Sequence, residues 1–250
     1  YCLPKTAWPP TFSVVPAIAA CRVTHRGRES SRIAENSLRI ATVICLPMGV
    51  GLSVLAEPIM TIIYPGSHES GPELLMLMGA ASFFVCMALM MNAVLQAGGN
   101  EKYPIYSMVI GGVVKICVNW FLVADPHINI LGAPIGTLSC YAVMCVMDYI
   151  FLCRVMPERP RLGRILARPV LSCAAMGLSA WAVYGLAIRF IGGAEPGRLM
   201  MALCMCLAIG VAVIVYLVLV VLTRAVTFED MKLIPKGEKL ARLLHIRPEG

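Results

Sequence analysis

Charge is what this sequence has least of. Asp, Glu, Lys and Arg make up only 14% of its 250 residues, where an ordinary soluble domain carries ~25%. With 59% of the residues hydrophobic, both a water-soluble globular fold and a disordered chain are excluded. Other absences narrow the chemistry. No two cysteines stand at CxxC spacing, so neither a zinc site nor a dithiol redox motif is supported. The four histidines, His25, His68, His127 and His245, fall in loops or in the tail, which leaves no intramembrane proton relay and no HExxH metal site. A P-loop, a GxSxG elbow and a DxxD acidic cluster are also missing. The chain therefore reads as neither an ATP-driven pump nor an enzyme, with no metal or cofactor expected.

What is there is apolar sequence in long continuous runs. Mean hydropathy is +0.79, and seven apolar segments stand at about 7–21, 38–64, 73–97, 104–123, 132–153, 167–191 and 199–222. The first is short; each of the other six reaches the ~20 residues that a bilayer crossing needs. No β-barrel alternation is visible. The fold class is an all-α integral membrane protein, a polytopic bundle of one partial and six full transmembrane helices. Eleven cysteines suggest a disulfide framework, but at least nine lie inside apolar runs, as Cys86, Cys117 and Cys173 do. There they act as small hydrophobes. Because the chain opens on Tyr1 with an apolar run already under way, it is read as a fragment without its N-terminal part, so a missing signal peptide carries no weight.

The 21 Lys and Arg residues are not scattered. Seventeen fall at 22–39, 98–103, 154–168 and beyond 222; three (Lys5, Arg189 and Arg198) fall on the opposite side, and Lys115 lies within a span. Six successive crossings bring every basic cluster to one face, which the positive-inside bias assigns to the cytoplasm. That topology accounts for the net charge of +7 without nucleic acid as a partner. The tail at 227–250 sets Leu240, Leu243 and Leu244 against Lys236, Lys239 and Arg242. It suits either a helix lying on anionic inner-leaflet lipid or a solvated basic anchor.

Polar groups inside spans are costly and mark cavities or partners. Lys115 stands eleven positions after Pro104, ~16 Å deep and near the midplane. Asn119 follows one turn later, with Gly111 and Gly112 one turn before. This stripe is read as lining a cavity, the alternatives being a snorkelling lysine or plain helix packing. Thr137, Tyr141 and Asp148 recur at helical spacing in the 132–153 run. Asp148 either pairs with Lys115 across a helix contact or is hydrated from the inner side. Asn92 and Gln96 form an i, i+4 pair that suits interhelical hydrogen bonds or a substrate equally. Pro47 and Pro58 in one run predict a broken helix, and Glu57 beside Pro58 at the outer interface is either a gate or a hydrated carboxylate. The 167–191 and 199–222 runs hold no ionisable group deeper than Arg189. They are read as an apolar annex facing lipid.

Six strings in fixed order then carry a resemblance: SVVPAIA (13–19), LAEPIM (55–60), LQAGGNEKYP (95–104), VKICVN (114–119), GAPIGT (132–137) and LIPKGEKLARLL (233–244). Over essentially its whole length the chain resembles the C-terminal half of the polysaccharide transporter branch of the multidrug/oligosaccharidyl-lipid/polysaccharide flippase superfamily. It is most similar there to the stage V sporulation protein B group, relatives of lipid II flippases. The resemblance implies two pseudo-symmetric lobes of about fourteen helices around an alternating central cavity, in a bacterial plasma membrane. The seven runs here would be the C-terminal lobe, with the N-terminal lobe missing and the last two runs flanking a lipid tail.

It also implies an undecaprenyl-linked saccharide as substrate, with membrane lipids as partners. Lys115 and Asn119, inside VKICVN, are the residues matched by motif as well as by depth. Pro134 stands where the family pattern leads one to expect a small residue such as Ala. Two other functions stay open: a cation-coupled multidrug antiporter of the same superfamily, and a non-transporting scaffold for wall-synthesis enzymes.

Overall fold

A computed structural model describes residues 27–64, 70–125, 128–156, 162–191 and 197–223. The short segment at 7–21 and the basic tail at 227–250 lie outside them. The described residues form seven helices, α1 (Gly27–Val54), α2 (Ala56–Ile63), α3 (Gly71–Ala97), α4 (Lys102–Val123), α5 (Gly132–Val155), α6 (Leu162–Ile191) and α7 (Arg198–Leu222), with a 3-10 turn at Asn129–Leu131 before α5. All but α2 are long and apolar enough to cross a membrane. The six full spans expected from the apolar runs are these six helices.

The ends of α3, α4, α5 and α7 lie within two residues of the apolar runs. The first full span does not match: its helix begins at Gly27, inside the stretch read as a basic loop. The reason is amphipathicity. Ala34 and Leu38 are fully buried, while Arg32 on the other face is exposed and Arg39 pairs with Glu35 at 3.8 Å. A helix of this kind continues past the hydrocarbon edge, where a count of apolar residues stops.

Two prolines shape that span differently. Pro58 has no N–H to give the Val54 carbonyl, and its ring crowds that same group. The helix accordingly ends at Val54, Leu55 leaves it, and Pro58 sits in the first turn of α2, where N–H groups have no helical partner in any case. The broken helix expected from the two prolines is thus formed at Pro58. Pro47 stays inside α1. It leaves the Val43 carbonyl without its helical donor, and the Tyr216 hydroxyl of α7 donates to that carbonyl at 2.6 Å. Pro134 is accommodated as Pro58 is, at the third position of α5.

The Tyr216 bond makes a sharp prediction. Tyr216→Phe orphans a carbonyl in a low-dielectric site and is expected to cost ~1–2 kcal/mol. In a Pro47→Ala background residue 47 supplies its own N–H, so the same change should cost little. Unfolding midpoints of the four proteins in detergent would show the coupling, and equal costs in both backgrounds would sink the account.

Spatial order departs from chain order. The helices run in a row α4, α5, α3, α1, α6, α7, with α2 folded against α3 and touching α7. Ala34, Leu38, Met87, Met91, Val94, Leu95 and Leu152 join α1, α3 and α5; Leu46, Cys173, Met176, Ala180, Ala212, Tyr216 and Val220 join α1, α6 and α7. The α1–α3 crossing is made of small residues. A Cβ on Gly49 would stand 2.7 Å from the Gly79 carbonyl oxygen, and Ser53 Oγ donates to the Met76 carbonyl at 2.9 Å. Between α3 and α4 the chain reverses through Gly99, whose φ of 66° suits glycine. There the Asn100 N–H reaches the Leu95 carbonyl at 3.0 Å and the Gly99 N–H reaches the Gln96 carbonyl at 2.7 Å.

Candidate functional site

Of the polar residues singled out in the sequence, Asn119 and Asp148 meet on the seam between α4 and α5, with Lys115 between them in register. These helices run antiparallel, and a step of four along one is met by a step of four back along the other. Gly132 lies against Leu122 and Val123; Gly136 receives the Asn119 side chain; Met144 fills the space over Gly111; Asp148 accepts a hydrogen bond from Ser107 Oγ. The buried stripe on α5 is accordingly Gly132, Gly136, Cys140, Met144, Asp148 and Leu152, four residues apart throughout. One rung in this ladder has no small or hydrogen-bonded pairing: Lys115, which the register sets opposite Cys140.

Lys115 is half-buried. Among the described residues no carboxylate lies within ion-pair distance of it. The pair with Asp148, one of the two readings above, is not formed. Ser107, the partner that Asp148 has, stands eight positions before Lys115, ~12 Å along α4. Nor is Asp148 hydrated from the inner side, for it is wholly buried. Asn119 is committed to the helix contact, packed over Gly136 with its Oδ1 enclosed and without a partner.

Thr137 and Tyr141 are half-buried on α5. Thr137 Oγ1 donates to the Ala133 carbonyl at 3.1 Å, and Tyr141 packs on Ala88, Cys140 and Met144. Along α3 the i, i+4 pair separates: Asn92 is buried with its Oδ1 unpartnered, whereas Gln96 is exposed. Glu57 is exposed on α2, away from this seam, and Pro58 is buried beside it. Pro47 lies on the α1 side that meets α7, so the three residues read as a gate or bend belong to a different part of the row.

Two residues escaped the sequence reading. Ser107 continues the i, i+4 series Gly111, Lys115, Asn119 backward by one turn, a signal present but not followed. Tyr216 was a polar group in an otherwise apolar run, and the carbonyl freed by Pro47 was the signal for it. Among the described residues no three His, Cys, Asp or Glu side chains are placed to hold a metal ion. The face of α4 away from α5 is bare apolar surface, with Val109, Val113, Ile116, Trp120 and Phe121 exposed.

No curated protein and no solved structure matches the chain. A family model does, over residues 10–201, from the short first segment into the start of α7. The family is one of transporters within the flippase superfamily named above, and it handles a lipid-linked substrate in the membrane. With well over half of its length matched, and with six apolar helices able to cross a bilayer, the chain belongs to the lipid II flippase MurJ family.

Proposed function

We propose that this chain is the C-terminal lobe of a flippase that moves an undecaprenyl-linked, lipid II-like saccharide across the bacterial plasma membrane. The observation that carries the reading is Lys115. It is a cation deep within a span, half-buried and without a carboxylate partner among the described residues, on a helix whose face away from α5 is bare apolar surface. A lone ammonium at that depth is costly unless an anion visits it. The pyrophosphate of a lipid-linked sugar is such an anion, and at low dielectric each contact with it is strong.

Thr137 and Tyr141 flank the same level of α5 and would meet the sugar; Asn119 shapes the seam beside them. The prenyl tail would stay in lipid along α6 and α7, where Leu171, Leu178, Trp181, Leu207 and Leu217 are exposed and charge is absent at depth. The one-sided basic clusters favour a cytoplasmic C-terminus. Alternation would be rigid-body rocking against a second lobe, with the unbonded turn at Pro47 and the break at Pro58 as the compliant points. Spore-cortex or surface-polysaccharide precursors are the finer substrate class, on the strength of the string resemblance.

Liposomes holding the full-length protein test this with a fluorescent undecaprenyl-pyrophosphate saccharide followed between leaflets. Lys115→Ala is expected to slow transfer at least ~10-fold, the loss of one charge-assisted contact, with Lys115→Arg retaining part of the rate. Unchanged transfer overturns the assignment of Lys115. Sodium- or proton-driven export of a cationic dye, without lipid transfer, makes the protein a drug antiporter. Tolerance of every seam mutation alongside sensitivity in the 227–250 tail makes it a scaffold.

A further inference from the structure

We infer that Asp148 is a proton-binding site built into the α4–α5 seam, its carboxyl carried protonated while the seam is closed. Asp148 is the one acidic or basic side chain that is fully buried among the described residues. A single hydroxyl serves it, that of Ser107 on Oδ1, and the same hydroxyl lies 3.2 Å from the Tyr103 carbonyl and 3.1 Å from the Pro104 carbonyl. One O–H cannot satisfy three acceptors. The other oxygen, Oδ2, is enclosed with no partner at all. A second enclosed acceptor without a partner, Asn92 Oδ1, belongs to the neighbouring helix. Ala88 packs against Met144, and one turn onward on these two parallel helices come Asn92 and Asp148. Two enclosed acceptors, Asp148 Oδ2 and Asn92 Oδ1, thus stand at one depth with no donor on either.

Among the described residues charge compensation is missing too. On α4, Lys115 is ~12 Å along the axis from the Ser107 level, Lys102 is exposed at the helix start, and Tyr103 stacks on Phe151 at 4.7 Å. From α3 the only polar group at this depth is Asn92. On α1, Arg39 pairs with Glu35 at 3.8 Å. On α5 itself, Cys145 donates to the Phe84 carbonyl at 3.2 Å, Tyr149 is half-buried, and Arg154 is exposed. An ionised carboxylate with one contested hydrogen bond and no counter-ion is not held by such surroundings. A proton on Oδ2 removes the charge and turns an orphan acceptor into a donor. That proton can leave only when water reaches Oδ2, so its release reports the parting of α4 from α5. Coupling of this release to lipid movement rests on the flippase reading; the site itself does not.

Infrared spectroscopy of the full-length protein in lipid nanodiscs tests the site without any transport. At neutral pH a protonated-carboxyl band is expected that Asp148→Asn removes and that exchange of potassium for sodium leaves in place. Ser107→Ala, which keeps the carboxyl, should retain that band at a shifted frequency. The inference is overturned if wild type and Asp148→Asn give the same spectrum, if the Ser107→Ala band does not move, or if the band appears only when sodium is withdrawn, which would make the occupant a metal cation. In liposomes, lipid transfer should vary with pH in the wild type and be flat in Asp148→Asn. A band with no lipid transfer at any pH supports the proton site and overturns the flippase reading instead.

Discussion

Gly79→Val is expected to part α1 from α3 and to cost the bundle at least ~3 kcal/mol. A Cβ at position 79 would meet Ser53 Oγ and would stand 2.9 Å from both the Gly49 carbonyl oxygen and the Ser53 nitrogen. Two of these three are backbone atoms, which cannot swing aside, so the helices themselves must separate. Separation breaks the Ser53 to Met76 hydrogen bond and loosens the contact of Leu38 with Met91 and Val94. Because α1 is the middle of the row, with α3 on one side and α6 on the other, its displacement is felt along the whole row. Gly112 supplies the control. Nothing lies within 4 Å of a Cβ there, so Gly112→Ala should be neutral or gain up to ~1 kcal/mol from helix propensity. Thermal unfolding in detergent, followed by far-UV dichroism, separates the two outcomes. Equal midpoints for Gly79→Val and wild type would contradict the seam geometry.

The second large effect lies at one end of the row. Gly136→Leu is expected to expel α4, at ~3–5 kcal/mol, because α4 rests on α5 and on little else. Here the obstacle has a different character. The atoms over Gly136 are the carboxamide of Asn119, the far end of a flexible side chain. A smaller intrusion, Gly136→Ala, should therefore cost only ~1–2 kcal/mol. Asn119→Ala in the same protein should recover most of that, since it removes the colliding group and an unsatisfied buried oxygen together. A double-mutant cycle reads the coupling directly. Additive costs would show that Asn119 does not occupy the Gly136 cradle.

The contrast between these two glycines marks what a one-dimensional pattern carries. Long apolar runs showed where the spans lie, because the bilayer sets their length and nothing else in the chain resembles them. The break at Pro58 was legible in kind, since a proline ring crowds the carbonyl four residues earlier and gives it no donor, which kinks or breaks a helix. The start of α1 was not, because its inner end is amphipathic and an apolar count ends at the first arginines. Partners across helices were least accessible. Lys115, Asn119 and Asp148 could be placed by depth, yet only the antiparallel register assigns Asp148 to Ser107 and Asn119 to Gly136. Polar residues at similar spacing therefore have unlike surroundings: Asn119 is a packing residue, Asp148 is sealed, and Lys115 has no carboxylate within ion-pair distance among the described residues.

The bond from Tyr216 to the Val43 carbonyl has a consequence for how the protein is made. Synthesis runs from α1 to α7, and the first of these helices enters the bilayer with one carbonyl that its own backbone cannot serve. Its donor arrives 173 residues later. During translation that group must borrow a water or a helper's hydroxyl, and α1 is correspondingly free to shift. Only when α7 is in place does the row close around it, so the α1 end of the bond waits for a helix made much later.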